Sequence, residues 1–368
     1  MSAALRTARV FALVVGAGAL GGIALPVLVA GRLPAGGPAL GPRSVALTLQ
    51  AAPQPTAEPV SAAELRAIGL LRRAAVAGRD SAYSGTQYVT SWSASGTSSV
   101  IVDLQHLPGH GVLARLSGAH QTPTVDDPGA ADLDPRALAL LEQHYALSVS
   151  TLLSQCAGRP AQVVEARQRG GSRVAGRFWV DRANGLLLRR ELYDSAGRTV
   201  RAAAFVDVDM SVPRPWAGPS RGGGNGQGTS LGADDLADLL HNGWQAPGRL
   251  AGGLELLDAR THDGVLHLSY TDGLFALSVF SQPGRLDPES VKGWQAVRLA
   301  GRPAWARPGL SQRVVWSGGG WVHTAVADAP DSVVSAAVAA FAAAPRESLR
   351  HRIGRGLDRM GSWVDPTS

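Results

Sequence analysis

Cysteine is nearly absent from the 368 residues: Cys156 stands alone. One thiol makes no internal disulfide and no cysteine-based metal site, and a lone cysteine is most simply a small core residue. None lies near the start of the chain, so a lipid-modified N-terminal cysteine is not expected. Lysine is equally scarce. Lys292 is the only one among the 35 basic residues, and the formal charge of +6 rests on arginine. These arginines are interspersed with acids and are not interleaved with aromatics into a basic face, so nucleic acid is not an expected partner. Aromatic residues make up 5% of the chain. The Gly222–Gly228 run lacks the Lys-Ser/Thr of a phosphate loop and the spacing of a dinucleotide fingerprint.

Catalytic patterns are missing in the same way. Gly228-Thr229-Ser230-Leu231-Gly232 fits Gly-x-Ser-x-Gly, but it lies in a glycine-rich linker with no strand ahead of it, and the motif needs a strand-to-helix turn. His106 and His110 flank Pro108-Gly109, and His262 and His267 straddle a turn. Neither pair has an acid at metal-site spacing. The acids Asp126, Asp127, Asp132 and Asp134 match no established cation loop. The chain is read as a binding protein and not an enzyme, with no metal and no cofactor.

What is present begins with one long apolar run. Val10–Ala30 follows Arg6 and Arg9, as in an export signal or a single membrane anchor, and its length of about 21 residues is close to that of a span. An uncleaved or slowly cleaved anchor is favoured over secretion, and either one places the rest of the chain outside the cytoplasm, in the cell envelope. Gly31–Pro59 then reads as a Pro-rich spacer.

Ser61-Ala62-Ala63-Glu64 resembles a capping box. It precedes a helix with Leu65, Ile68, Leu71 and Ala75 at helical spacing, which Gly78 is placed to end. Strands are expected at Tyr83–Ser93, Ser98–Leu107, Gly111–Leu116, Ala146–Leu153 and Pro160–Gln168, with a short helix over Pro135–Tyr145. Phe178–Met210 holds three apolar runs split by Asn184-Gly185 and by Asp194–Gly197. This predicts a three-stranded meander whose Asn-Gly forms a tight hairpin with positive φ at both residues. Seven or eight strands with one or two helices make a sheet that must curl to bury one face.

Residues 213–231 are a Gly/Pro linker. Residues 232–344 read as a smaller α+β unit. Its helices are Ala233–Asn242 and Asp331–Ala343. Its strands are Leu254–Arg260, Val265–Thr271, Leu274–Ser281, Trp294–Leu299, Gln312–Ser317 and Trp321–Ala327, and Thr271-Asp272-Gly273 is one of its hairpin turns. In the tail, 345–368, Leu349, Ile353, Leu357 and Met360 share one helix face among arginines and lead to Trp363. That face suits a membrane surface or a partner; packing on the body is the plainer reading. In the first unit Tyr88, Trp92, Phe178, Leu186, Leu188 and Phe205 are candidates to line a cavity for an acyl chain or other apolar ligand. The same residues also suit an ordinary core.

Four stretches carry a family resemblance. Leu70-Leu71-Arg72-Arg73-Ala74 leads to Tyr83-Ser84-Gly85-Thr86, and Gly158-Arg159-Pro160 opens a strand. Phe178-Trp179-Val180-Asp181 runs into Gly185-Leu186-Leu187-Leu188-Arg189-Arg190-Glu191-Leu192. Tyr270-Thr271-Asp272-Gly273-Leu274 leads to Ser278-Val279-Phe280. In this order they resemble the MucB/RseB sigma-factor regulatory proteins. The resemblance implies an α+β protein. Residues 61–212 would form a large, half-open antiparallel β-barrel with helices, similar to the LolA/LolB lipoprotein carriers, and residues 232–344 a smaller C-terminal α+β domain. It implies a partner, the extracytoplasmic domain of a membrane anti-sigma factor. That partner would be shielded from proteolysis and released when an amphiphile or envelope stress is sensed. A lipid or lipoprotein carrier is the alternative. The family brings no catalytic residue.

Overall fold

The computed structural model describes residues 61–342, apart from 110, 118–132, 134, 152–153, 214–228 and 310. The described residues form two antiparallel sheets and four α-helices. The N-terminal segment, residues 214–228 of the linker, the tail and the acidic positions from 126 to 132 and at 134 lie outside them, while Thr229–Ser230 at the end of the linker form a short strand.

The first helix, α1 (Ala62–Asp80), begins where the sequence places it, with Ser61 accepting a hydrogen bond from Glu64 N at 3.1 Å. Only that half of the capping box is seen. The Glu64 carboxylate turns instead to Arg169 at 2.7 Å. Gly78 does not end the helix; it is buried inside it, and the cap falls on Ser81. Ala67, Ile68, Leu71 and Ala74 form the buried stripe, each large member contributing about 1.5–3 kcal/mol by leaving water.

The strands of the first sheet are β1 (Tyr83–Ser93), β2 (Gly96–Leu107), β3 (Gly111–Leu116), β4 (Tyr145–Val149), β5 (Ser154–Cys156), β6 (Arg159–Gln168), β7 (Val174–Asp181), β8 (Leu187–Tyr193) and β9 (Thr199–Asp209), with α2 (Pro135–His144) between β3 and β4. They pair in the order β3-β2-β1-β9-β8-β7-β6-β4, with β5 beside β6. The ends of this path, β3 and β4, do not pair, so the sheet is not closed. It does bend: the Cys156 thiol on β5 reaches the carbonyls of Leu188 and Phe205 at 3.5 and 3.7 Å. Cys156 is buried, as expected of a small core residue, and burial pushes its thiol pKa up.

The Asn-Gly signal marks a turn, though not the tight hairpin expected. Gly185 has φ +86° but Asn184 is not in the positive-φ region. The loop is longer because Asp181 accepts hydrogen bonds from the Ala183 and Asn184 amides at 2.7 and 3.3 Å. Asn184 uses its own side chain to accept from Leu186 N at 2.9 Å. Arg73 of α1 then donates to Ala183 O at 2.7 Å, tying this loop to the helix.

The second sheet contains β10 (Thr229–Ser230), β11 (Glu255–His262), β12 (Val265–Thr271), β13 (Ala276–Pro283), β14 (Gln295–Leu299), β15 (Arg302–Arg307), β16 (Gln312–Gly318) and β17 (Trp321–Asp328), in the order β10-β11-β12-β13-β17-β16-β15-β14. The helix α3 (Ala233–His241) follows β10 and buries no residue fully, whereas α4 (Asp331–Ala342) buries Val334, Ala337, Val338 and Phe341 against the sheet. One hydrophobic cluster runs through both sheets and the helices α1, α2 and α4. A second lies within the first sheet, around Tyr83, Val89, Cys156, Leu188 and Phe205.

Candidate binding site on the open face of the first sheet

Directly opposed residues in an antiparallel sheet point to the same side. One transverse row reads Val164, Phe178, Arg190, Ala203, Val89, Val100 from β6 to β2. This is the covered face. One residue along, the row reads Val163, Trp179, Arg189, Ala204, Tyr88, Ile101, and the next is Glu165, Arg177, Glu191, Ala202, Thr90, Ser99. These two rows form the other face, which is open around Tyr88, Ile101 and Ser99 and covered at Val163 and Trp179, with Trp92 opposite Thr97 beyond them.

A groove of about 540 Å³ crosses this open face, lined by residues that include Tyr88, Thr90, Trp92, Arg189, Glu191 and Ala204. Its cause lies in the rows. Ala202 and Ala204 on β9 form a low floor between taller side chains on β8 and β1. Two inter-strand spacings separate those walls, about 10 Å. On the β8 wall Glu191 accepts from Arg189 Nε at 3.1 Å and from Arg189 Nη2 and the Tyr193 hydroxyl. The Arg189 guanidinium lies 4.6 Å from the centre of the Trp179 ring, a cation–π distance. Burial, followed by the Glu191 carboxylate, raises the Tyr193 pKa to about 12. On the β1 wall Thr90 and Ser99 hydrogen-bond to each other at 3.1 Å. The neighbouring Ser99 and Thr90 hydroxyls lower the Tyr88 phenol pKa.

The six residues expected to line an apolar cavity are divided among three places. Phe178 is fully buried in the cluster shared with the helices. Leu186, Leu188 and Phe205 are buried in the second cluster. Tyr88 and Trp92 stand on the opposite face, 47% and 38% exposed. Strand parity is the reason: Tyr88 and Trp92 alternate with Val89, and of these three only Val89 is buried. The groove residues the sequence reading missed, Arg189, Glu191, Ala202 and Ala204, have a signal only once the register is known. The tail positions Leu349, Ile353, Leu357, Met360 and Trp363 lie outside the described residues.

A second arrangement joins the sheets. The turn between β12 and β13 docks on α2 and β7. Gly273, at φ +90°, lies so close to α2 that a Cβ there would sit 2.2 Å from Leu141 N and 2.4 Å from Ala137 O. Leu274 packs on Gly176 of β7, and Arg190 donates to the Leu274 carbonyl. Asp272 accepts from the Tyr145 hydroxyl at 2.6 Å and from the Leu274 and Phe275 amides at 2.9 and 2.7 Å. Burial and the Asp272 carboxylate push the Tyr145 pKa up. Arg201 of β9 pairs with Asp328 of β17 at 2.9 Å, both largely buried.

Two serines meet histidines: Ser269 lies 3.3 Å from His267 Nε2, and, deeper in the sheet, Ser281 and His323 Nδ1 are 2.9 Å apart. Ser281 and His323 are each 2% exposed, and His323 stacks on Trp316. No substrate reaches them as placed. Burial holds His323 neutral, lowering its pKa to about 4. His267, stacked on Phe280, is lowered to about 4 by the same cause. Ser230 is exposed on β10 and donates to Asp258 at 3.4 Å. Among the described residues no group of three or more His, Cys, Asp or Glu is placed to hold a metal. No described helix is long and apolar enough to cross a membrane; the Val10–Ala30 run is outside the described residues.

Residues 112–219, from β3 through β9 and onward, match the family model described as the MucB/RseB N-terminal domain. That segment is similar to the MucB/RseB family. Among solved structures the chain is similar to MucB in complex with MucA(peri), at 21% identity over 74% of this chain and 97% of that one, with a TM-score of 0.41. A Pseudomonas aeruginosa MucA/MucB complex gives 20% identity over 74% and 97%, with a TM-score of 0.40. An outer membrane lipoprotein-sorting protein domain from Vibrio parahaemolyticus gives 10% identity over 42% and 95%, with a TM-score of 0.22. No curated protein matches the chain. The MucB/RseB segment carries the β8 wall and the β9 floor of the groove, while the β1 wall precedes it.

Proposed function

We propose that this chain is an extracytoplasmic regulator that binds the outer domain of a membrane anti-sigma factor. It shields that domain from proteolysis and releases it when an amphiphile or other sign of envelope stress is sensed. The observation that carries the reading is the MucB/RseB match over residues 112–219. MucB itself forms a complex with MucA(peri). In this reading residues 61–212 are the half-open, LolA/LolB-like barrel, residues 232–344 the second domain, and residues 213–231 the linker. The N-terminal apolar segment holds the body at the membrane, and the tail from Leu349 to Trp363 lies on the membrane or the partner. The interlock at Gly273 favours this over a lipid or lipoprotein carrier, because a carrier needs only the first sheet. No cofactor or catalytic step enters the account.

The test is co-expression of the full chain with the outer domain of an anti-sigma factor from the same genome. A stable complex in which the outer domain is cut more slowly by its protease supports the reading. Failure to form a complex, with lipid recovered from the purified chain, supports the carrier.

A further inference from the structure

We propose that the groove on the open face of the first sheet is a binding site for a neutral, linear glycan. This rests on the groove alone and not on the regulator reading. Tyr88 and Trp92 lie four residues apart on one side of β1, about 13 Å along the strand, a reach of a few linked sugar rings. An exposed ring on a groove wall offers a flat apolar surface to the C–H face of a pyranose.

The remaining lining supplies both hydrogen-bonding senses that sugar hydroxyls need. Thr97, Ser99 and Thr199 donate and accept, Arg189 donates, and Glu191 accepts. Glu191 takes three hydrogen bonds from Arg189 and Tyr193, and a carboxylate has about four acceptor positions, so one remains for a ligand. Arg189 and Glu191 neutralise each other, which favours an uncharged guest. The Ala202–Ala204 floor leaves room for a ring between the walls.

Other guests fit less well. An acyl chain would desolvate the threonine and serine hydroxyls without replacing their hydrogen bonds. A peptide adding as a strand needs free backbone groups, but β1, β8 and β9 are paired on both sides. A proline-rich peptide offers carbonyl acceptors and few donors, leaving Glu191 idle.

The experiment uses the full chain, purified in a detergent without a sugar headgroup and titrated with chitohexaose and cellohexaose, followed by calorimetry and tryptophan fluorescence. Saturable binding of at least one is expected. Ala204→Leu, which fills the floor, and Trp92→Ala should each weaken it by about tenfold or more, the scale of one lost ring contact. Ile101→Ala, beside Tyr88 but outside the groove lining, should leave it unchanged, and circular dichroism should show all three variants folded. The proposal is overturned if neither oligosaccharide binds, or if Ala204→Leu and Trp92→Ala both bind as the parent does. It is also overturned if the groove instead takes a fatty acid, with affinity lost in Ala204→Leu, or a peptide of residues 31–59.

Discussion

The two faces of the first sheet are built from the same strands and do opposite work. On the covered face Phe178, Val164, Ala203 and Val89 sink into the interior, and the row continues into the joint with the second sheet through Arg190. On the open face, one residue along each strand, Tyr88, Trp92, Arg189 and Glu191 surround an accessible groove. The contrast shows that the two-residue alternation separates buried Val89 from exposed Tyr88 and Trp92 on β1, while Trp179, on the same row as Tyr88, is buried at the far end of the sheet. It also separates two roles. The covered face makes two sheets into one body, and the open face is left for a guest.

Breaking the covered face should cost most. Phe178→Ala leaves a cavity beneath α1 and is expected to lower stability by about 3–5 kcal/mol, read from denaturant melts. The joint comes next. Gly273→Ala places a Cβ against the backbone of α2 at a positive φ, so about 3 kcal/mol should be lost. Proteolysis should then cut residues near the linker faster, as the second sheet leaves α2.

Acid should weaken the second sheet. His267 and His323 have folded pKa values lowered to about 4, against 6.5 when unfolded. A lowered histidine pKa means that the unfolded chain takes up the proton first. The stabilisation is therefore complete above about pH 6.5 and is lost as the pH falls towards 4. Each ring accounts for roughly 3 kcal/mol across that window. A melting temperature that stays level from pH 7 to about 4.5 would remove this cause. The smallest stability effect belongs to the open face. Trp92→Ala should change stability by no more than about 0.5 kcal/mol, as for an exposed position, while removing one wall of the groove.

Much of the fold was legible. Local signals, namely alternation, helical spacing and turn residues, placed α1, α2, α4 and most strands within a few residues. The β15 strand was missed because Pro303 reads as a strand breaker. In the structure Pro303 pairs only with Arg298 of β14, and the pairing with β16 starts at Trp305, so its missing N–H disrupts no bond on that side. Asn184-Gly185 gave the turn but not its type, because the Asp181 side chain reshapes the loop. The joint was not legible at all: Gly273 and Leu141 are far apart in sequence, and only packing brings them together. The groove failed for a related reason. Tyr88 and Trp92 were recognised as candidates, but grouping them with Phe178, Leu186, Leu188 and Phe205 needed a pairing register that no single strand contains.

The most direct test of the account is a calorimetric titration of the purified full chain with the outer domain of its anti-sigma factor. Saturable binding, together with protection of that domain from its protease, is the predicted result. Absence of binding by a folded chain, in which the contacts of Gly273 and Asp272 are intact, would contradict it.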